Sequence, residues 1–219
     1  MYETLDLFDV NHTKAKALFL RYAHPWEALE KLADFIVEIG QVLDETEYVE
    51  LYPKVWVHKS VELAQSASIA APCIIGAGTK LRSGAFLRGS VLIGENCVVG
   101  NSTEIKNAIL FDGVQVPHYN YVGDSILGFK AHLGAGAVTS NVKLDKTQVR
   151  VRDGEKEVET RLKKLGALVG DLAEVGCNSV LNPGTVIGKN AIVYPLSFVR
   201  GTVKENCIYK SGGVVVKRT

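Results

Sequence analysis

Apolar residues in this chain recur with a period of six, which matches neither the 3.6 of a helix nor the two of an ordinary strand. Between Val57 and Pro117 an aliphatic or otherwise apolar residue stands at every sixth position. These positions are Val57, Leu63, Ile69, Ile75, Leu81, Leu87, Ile93, Val99, Ile105, Phe111 and Pro117. A small or apolar residue stands two places before nearly every one of them, Gln115 being the exception. A fixed period of this kind indicates a repeat architecture.

The period resumes at Leu127, Leu133 and Thr139, and again from Val169 to Val199. The last block comprises Val169, Val175, Leu181, Ile187, Val193 and Val199. A six-residue unit suits a short strand followed by a bend, and three such units close a prism-shaped coil. The sequence therefore predicts a mainly β domain over residues 51–219, a hexapeptide parallel β-helix of roughly seven turns.

Composition and charge narrow the function classes only a little. The chain has 219 residues and a formal net charge of +1, so it has no bulk electrostatic bias towards nucleic acid or membrane. It has no apolar stretch of signal-peptide or membrane-spanning length, so we expect a cytoplasmic protein. Cys73, Cys97, Cys177 and Cys207 form no C-x-x-C pair, and two of them occupy inward repeat positions. We therefore interpret the cysteines as reduced packing residues.

Residues 1–50 lack the six-residue period and predict a helical region. Residues 11–22 suit a short helix, and His24-Pro25-Trp26 suits the start of a longer one. An apolar stripe at three- and four-residue spacing follows, formed by Trp26, Leu29, Leu32, Ile36, Ile39 and Leu43. We expect this stripe to cap the open end of the β-helix, because an uncapped end would expose core and unpaired backbone. A helix that docks a partner is the alternative.

The first interruption of the period lies between Pro117 and Leu127, which are ten residues apart instead of six. This spacing predicts a four-residue insert within residues 118–126. A bulge in a rigid coil often presents functional side chains, although an ordinary surface loop explains it equally well.

Two basic residues point to an anion site near that insert. Arg88 and Lys106 are 18 residues apart, one turn of three units, so they should stack at one corner about 4.8 Å apart. Two adjacent cations without an obvious carboxylate between them suit a phosphate, although Glu104 could neutralise Lys106. His118 and Tyr121 would then lean towards the pair, and an imidazole there suits a general base.

The second interruption covers residues 140–166. Alternation from Gln148 to Val158 around Asp153-Gly154 predicts a β-hairpin. The insert holds eight Lys and Arg against five Asp and Glu, so it could reach over a neighbouring subunit or an anionic ligand. A solvated hairpin is the alternative. The end of the chain, from Lys204 to Thr219, leaves the period.

Three motifs resemble a known family. Gly100-Asn101-Ser102-Thr103-Glu104-Ile105-Lys106, Pro117-His118-Tyr119-Asn120-Tyr121-Val122-Gly123-Asp124 and Leu133-Gly134-Ala135-Gly136 carry the resemblance. They are similar to the acetyltransferase half of the bifunctional enzymes that make UDP-N-acetylglucosamine. The insert and residues 164–171 resemble the archaeal-type sugar-1-phosphate nucleotidylyltransferases that carry this half. No glycine-rich nucleotide loop precedes the coils, so a stand-alone acetyltransferase module is expected.

The resemblance implies a left-handed coil, homotrimers with clefts between neighbouring coils, and roles for individual residues. His118 matches the catalytic base. The implied substrate-binding residues are Arg88, Lys106, Tyr121, His132 and Asn141, and the implied contacts to acetyl-CoA are Ala135, Cys177 and Pro195. His132 stands where the bacterial enzymes have asparagine, and Thr147 and Arg150 replace lysines of the archaeal-type insert.

The implied activity is an acetyl-CoA-dependent N-acetyltransfer to a hexosamine 1-phosphate, with glucosamine 1-phosphate or galactosamine 1-phosphate as acceptor, in nucleotide-sugar synthesis. Acetyl-CoA is then the co-substrate and no metal is required. A separate nucleotidylyltransferase is a possible partner, whereas nucleic acid and membrane are not expected. Three alternatives remain open: a metalloenzyme with three clustered histidines, an acyltransferase with another acceptor, and a non-catalytic scaffold or sensor.

Overall fold

The computed structural model describes residues 2–218, so Met1 and Thr219 of the predicted regions lie outside the described residues. The N-terminal region contains two short α-helices, Thr4–Leu7 and Lys16–Phe19, with a 3-10 turn at Val10–His12 between them. A 3-10 helix, Pro25–Lys31, then leads into the α-helix Leu32–Gly40. Pro25 stands at the start of its helix, as the sequence predicts.

From Val55 onwards the chain winds into a parallel coil with three flat faces. The first face stacks Val55–His58, Cys73–Ile75, Val91–Ile93, the second half of Glu104–Leu110, the second half of Tyr121–Leu127, Ala167–Val169, Thr185–Ile187 and Thr202–Val203. These eight layers make one more turn than the roughly seven expected. Tyr48–Tyr52 pairs antiparallel with the first of these strands.

The other two faces are built in the same way. The second face stacks Glu62–Leu63, Lys80–Leu81, Val98–Asn101, Gln115–His118, His132–Leu133, Glu174–Val175, Ile192–Val193 and Cys207–Tyr209. The third face stacks Ser68–Ile69, Phe86–Leu87, the first halves of Glu104–Leu110 and Tyr121–Leu127, Val138–Thr139, Val180–Leu181 and Phe198–Val199. The last strand, Val215–Lys217, turns back antiparallel onto Cys207–Tyr209. The coil therefore continues past Lys204, where the sequence period was expected to end.

The interior of the prism is filled by the residues that define the six-residue period. Alternate residues of a strand point to the same side, so the aliphatic residue and the one two places before it both face inwards. Ile75 with Cys73, and Val99 with Cys97, are such pairs and are buried. All four cysteines are free thiols, and burial raises the pKa of the Cys97 thiol to about 12. Cys73 and Cys97 are packing residues, as predicted.

The period slips by one residue inside the first block, which the sequence pattern does not reveal. Ile105 pairs with Val122 and Leu110 with Leu127, so each of these units has five residues. The inward residues after Ile105 are therefore Leu110 and Val116, and Phe111 and Pro117 are wrongly placed by the six-residue count. The slip explains the Gln115 exception, because that side chain points outwards.

No insert interrupts the coil at residues 118–126, and this prediction is wrong. Val116 lies opposite Val99, Val122 opposite Ile105, and Leu127 opposite Leu110, so the coil is continuous here. The apparent gap of ten residues arises because two five-residue units displace the phase. The motif around His118 and Tyr121 consequently lies in regular coil rather than on a protruding loop.

The second insert is real and forms the predicted hairpin. Strands Arg150–Asp153 and Lys156–Glu159 pair antiparallel around Gly154, whose φ is 60°. The hairpin folds back on its own coil, where Val149 and Val151 are buried and the Thr202 hydroxyl donates to the carbonyl of Arg152.

The N-terminal helices cover the outside of the first face and do not lie over the open end of the coil. In the layers of that face the middle residue of the strand points outwards and is apolar. These outward residues are Trp56, Ile74, Leu92, Ile109, Ile126, Leu168 and Val186. Trp26, Leu32 and Ile36 of the predicted stripe pack in the same cluster. An added Cβ on Gly40 would stand 2.4 Å from the Trp56 ring, so the helix approaches the sheet closely. The stripe is therefore satisfied within the chain, and the expectation that it caps the end is wrong. No helix among residues 2–218 combines the length and apolarity needed to span a membrane.

Candidate functional site

The predicted site residues lie along the two edges of the third face, because parallel stacking aligns one residue from each turn. One edge, called here the Lys106 edge, holds Arg88, Lys106, Gly123, Ser140, Asn182 and Arg200. The opposite edge, called here the His118 edge, holds Asn101, His118, Ala135, Cys177 and Pro195. Both sets follow strands whose buried residues fix the register, so the positions of these side chains follow from packing of the core.

A buried carboxylate organises the Lys106 edge. Asp124 is 4% exposed and stands one turn after Lys106, whose Nζ donates to both of its oxygens at 3.1 and 3.2 Å. Asn107 donates to Oδ1 at 2.9 Å, and Asn141 donates to Oδ2 at 2.5 Å. A carboxylate with this many donors is fully satisfied, so the four side chains form one rigid unit.

Arg88 lies one turn before Lys106, as predicted, but neither cation is free of a carboxylate. Arg88 Nη1 lies 2.6 Å from Glu104 Oε1, and this hydrogen bond raises the pKa of the guanidinium. Glu104 therefore neutralises Arg88 rather than Lys106. The expectation of two cations without carboxylate partners is wrong, because Glu104 and Asp124 occupy adjacent layers and each takes one cation.

Tyr121 and Asn141, the second residue of the 140–166 insert, also belong to this cluster. The Asn141 amide donates to the Tyr121 hydroxyl at 3.2 Å and to Asp124. Burial and then the Asp124 carboxylate raise the pKa of the Tyr121 phenol above its ordinary value. At neutral pH the phenol is thus protonated and can donate a hydrogen bond. The structure brings together Arg88, Lys106, Tyr121 and Asn141, four of the predicted substrate-binding residues.

His118 does not lean towards the cations. It is exposed on the His118 edge, five residues before Gly123, which is the neighbour of Lys106 in the next layer. Five extended residues with a bend span on the order of 10–15 Å. The expectation that His118 approaches the cations rested on the inserted loop, which does not exist. His118 shares its edge with Ala135, Cys177 and Pro195, the three residues implied as acetyl-CoA contacts.

The backbone on the His118 edge offers a free donor. The His118 carbonyl accepts from Gly136 N–H at 3.0 Å, and the Ala135 carbonyl accepts from Asn178 N–H at 2.8 Å. Within residues 2–218, the N–H of Ala135 has no protein acceptor. A backbone N–H without a protein acceptor, one layer from a histidine, can bind a carbonyl or oxyanion of a small molecule.

His132 lies outside both edges. It points outwards from the second face, where its Nδ1 is 2.7 Å from Glu174 Oε2 in the next layer. The structure therefore does not bring it together with the other predicted substrate-binding residues. Across residues 2–218, no group of three or more His, Cys, Asp or Glu side chains is arranged to hold a metal ion.

Sequence reasoning missed Asp124 and Asn107 as members of the site, and it considered Glu104 only as a partner of Lys106. Asp124 follows Lys106 by 18 residues, the same interval that linked Arg88 to Lys106. That interval could have identified it as a partner one turn away, had acidic residues been searched in the same way as basic ones.

The fold and these edges define a parallel β-helix of hexapeptide repeats. Residues 53–157 match the family model described as the EIF2B subunit epsilon LbH domain, where LbH denotes a left-handed β-helix. The predicted fold class, a left-handed parallel β-helix with N-terminal helices, is therefore confirmed.

Two relatives of this chain are named as bifunctional proteins. It is 32% identical over 135 residues to "Bifunctional protein GlmU" of Methanococcus maripaludis strain C5, covering 61% of this chain and 33% of the relative. It is 31% identical over 183 residues to "Bifunctional sugar-1-phosphate nucleotidylyltransferase/acetyltransferase" of Sulfurisphaera tokodaii, covering 84% of this chain and 45% of the relative. The chain thus spans a third to just under half of their length. These homologues confirm the resemblance carried by the three motifs.

Among solved structures, the acetyltransferase domain of PglB from Neisseria gonorrhoeae shares 14% identity with this chain. That comparison has a TM-score of 0.44 and covers 87% of this chain and 74% of the other. The score is too low to establish a common fold.

Proposed function

We propose that this chain is an acetyl-CoA-dependent N-acetyltransferase that acts on a hexosamine 1-phosphate, namely glucosamine 1-phosphate or galactosamine 1-phosphate, in nucleotide-sugar synthesis. The observation that carries the proposal is the cluster of Lys106, Asp124, Asn141 and Tyr121 beside Arg88. It is a preorganised polar site for a sugar and an anion. The name of the Sulfurisphaera tokodaii relative includes both a sugar-1-phosphate nucleotidylyltransferase and an acetyltransferase activity, which supports the proposal.

The cations bind the phosphate of the acceptor in this proposal. Arg88 is 45% exposed in its side chain and Glu104 is 34% exposed, so a phosphate can displace Glu104 without burying a charge. Lys106 keeps Asp124 as its partner and presents its remaining proton to the phosphate. Tyr121 and Asn141 direct hydroxyl and amide groups at the sugar, which fixes the amine in position.

His118 acts as the general base in the proposed reaction. An ammonium group has no lone pair, so a proton must leave before or as the nitrogen attacks the thioester carbon. The amine forms the new amide bond, the thiolate of CoA leaves, and the imidazole accepts the ammonium proton. The free N–H of Ala135, on the same edge as His118, stabilises the oxyanion that develops on the thioester oxygen.

The proposed active form is a homotrimer in which two subunits complete each site. His118 and the Lys106 cluster lie on opposite edges of the third face, and in the proposal a neighbouring subunit supplies one of the two edges. In a cleft between two coils, the His118 edge of one subunit faces the Lys106 edge of its neighbour. The pantetheine arm of acetyl-CoA then lies along Ala135, Cys177 and Pro195. The proposed location is the cytoplasm, and the proposed partner is a separate nucleotidylyltransferase that uses the product.

The first experiment measures thiol release from acetyl-CoA with glucosamine 1-phosphate or galactosamine 1-phosphate as acceptor. We expect turnover in the native chain and its loss in His118→Ala, whereas His58→Ala, which changes a histidine far from the third face, retains it. Absence of turnover with both acceptors refutes the proposed function.

A second experiment tests whether subunits share a site. His118→Ala and Lys106→Met chains are inactive separately, and co-expression places an intact His118 edge opposite an intact Lys106 edge in part of the trimers. Recovery of turnover in the mixture supports a shared site. Mixed trimers that remain inactive place the whole site within one chain.

A further inference from the structure

A groove lies between the helix Leu32–Gly40 and the first strands of the coil, and the proposed reaction does not use it. Its volume is about 710 Å³. Val37, Leu43 and Trp56 give it an apolar lining, and it shares no residue with the Lys106 edge or the His118 edge. A preformed apolar groove of this size can accept the side chains of a binding partner.

The strand Tyr48–Tyr52 beside the groove has a partner on one edge only. It is the last strand of its sheet and pairs with Val55–His58. Among residues 2–218, no strand pairs with its other edge, called here the free edge. Four of its five residues are exposed. An exposed strand edge is a template for pairing with another chain.

The free edge offers backbone groups at Tyr48 and Glu50. The Glu47 carbonyl accepts from the Lys59 N–H at 2.9 Å, so the backbone groups of Glu47 and of Val49 face the coil. Those of Tyr48 and Glu50 face the opposite way. The Tyr48 N–H donates to a carbonyl of the preceding turn at 2.8 Å. Within residues 2–218, the Tyr48 carbonyl and both backbone groups of Glu50 therefore remain available to a further strand.

A strand added at the free edge places its side chains alternately on two surfaces. The side of the sheet that carries Trp56 faces the groove. The other side carries Val49, which lies opposite the inward residue Val57 and is 45% exposed because no layer of the coil precedes it. Leu63, at an inward position of the first layer on the second face, is 41% exposed for the same reason. This second surface is apolar and uncovered.

The charge around the groove favours a basic partner. Residues 32–53 include six acidic residues and no Lys or Arg, although the whole chain has a net charge of +1. Glu45 and Glu50 line the groove, and neither has an ion-pair partner among residues 2–218. Lys54 is the single base in the lining. Complementary charge on a partner speeds its association and selects it over acidic competitors.

A second copy of this chain fits the free edge poorly. Two Tyr48–Tyr52 strands paired about a two-fold axis bring two identical acidic segments together, and like charges across paired strands are destabilising. The strand Val215–Lys217 at the other end of the coil is also the last strand of its sheet. Its docking here would join identical chains head to tail without closure, which produces open fibres.

We propose that the groove and the free edge bind an extended segment of a different protein, in which Lys or Arg alternates with aliphatic residues. The segment adds one strand to the sheet and bonds to the backbone at Tyr48 and Glu50. Its basic side chains enter the groove, where their heads meet Glu45 and Glu50 and their stems cover Trp56. Its aliphatic side chains cover Val49. Binding at this surface is independent of the proposed acetyl transfer.

The test is fluorescence anisotropy of short labelled peptides titrated with the full chain. The first peptide alternates Lys and Val, the second alternates Glu and Val, and the third is the first with proline at its centre. We expect the Glu peptide to bind about 10-fold more weakly or worse, because its charge is reversed. The proline peptide should bind about 5-fold more weakly or worse, because it lacks a main-chain donor.

Variants of the chain locate the binding surface. Glu45→Lys should weaken binding of the Lys-Val peptide about 10-fold, and Val49→Thr about 3-fold. Glu155→Lys is the matched control for charge, because Glu155 is exposed on the hairpin. Val215→Thr is the matched control for shape, because Val215 is an exposed valine on the edge strand at the other end of the coil. Thermal unfolding checks that each variant is folded.

Each outcome decides the proposal. Preference for the Lys-Val peptide that both groove variants weaken and both controls retain supports it. A proline peptide that binds as tightly as its parent shows attraction by charge without strand addition and overturns it. Binding that survives both groove variants, or no binding of the Lys-Val peptide, also overturns it. Concentration-dependent self-association that Glu45→Lys abolishes and Glu155→Lys retains assigns the groove to a second copy instead.

Discussion

Asp124→Asn tests whether the buried carboxylate organises the site. In the native chain Oδ1 accepts from Lys106 and Asn107, and Oδ2 accepts from Lys106 and Asn141. An amide of the same shape replaces one oxygen with an NH2 group. Whichever way it is oriented, that NH2 group faces two donors, so at least two hydrogen bonds are lost and Lys106 loses its counter-charge.

The expected loss of stability follows from the burial of the two partners. The Asp124 side chain is 5% exposed and that of Lys106 is 27% exposed. Breaking a fully buried pair costs about 3–5 kcal/mol, and water reaches Lys106 in part, so we expect about 3 kcal/mol. For a chain of this length each kcal/mol shifts the melting temperature by about 2–4 °C, which gives a fall of about 6–12 °C.

Thermal unfolding followed by circular dichroism measures this effect, with Glu104→Gln as the matched control. Glu104 also pairs with a cation on the same edge, but its side chain and that of Arg88 are 34% and 45% exposed. Such a pair is worth about 0–1 kcal/mol. If the two variants melt within about 2 °C of each other, the inference that Asp124 holds the cluster together is refuted.

Three further results are expected. Asp124→Asn should lower the pKa of the Tyr121 phenol, because the carboxylate is a charge that raises it; ultraviolet titration measures this, and an unchanged pKa contradicts the contact. Gly184→Ala should destabilise the chain by about 2 kcal/mol or more in urea unfolding, since the new Cβ meets a hairpin carbonyl at 2.5 Å, whereas Gly154→Ala, with nothing within 4 Å, should cost about 1 kcal/mol. Trp26→Ala should cost about 3–5 kcal/mol in the same assay, because this side chain is buried between the helices and the first face; a loss below about 1 kcal/mol would mean that the helices do not pack there.

The sequence contains a second, longer period that indicates which face of the coil is covered on its outside. Every third unit has an apolar residue between its two inward residues, as in Cys73-Ile74-Ile75 and Val91-Leu92-Ile93, whereas only about half of the other units do, and Glu62 and Lys80 are polar examples. This 18-residue pattern predicts that one face is buried on its outside. The pattern does not show that the stripe around Trp26 covers that face, because the sequence does not specify which two apolar surfaces pack against each other.

The one-residue slip of the six-residue period could not be inferred from the apolar pattern. Phe111 and Pro117 are apolar, so a count of six continues through them although the inward residues are Leu110 and Val116. The continuous strands Glu104–Leu110 and Tyr121–Leu127 turn the corner with one residue fewer, at Asn107 and Asp124, whose φ values are 47° and 48°. The shorter corner depends on backbone conformation, and the pattern of apolar residues does not show that conformation.

The sequence by itself determined the parallel β-helix, the inward residues of most turns, the hairpin at Gly154 and the stacking of Arg88 above Lys106. These features follow from local periodicity, because alternate residues of a strand share a side and each turn repeats the register of the last. Only the tertiary structure decided which carboxylate each cation takes, that His118 and Lys106 lie on opposite edges, and that the helices cover the first face. Those outcomes depend on the direction of each side chain at a corner and on packing between segments far apart in the sequence, and the pattern of residues fixes neither.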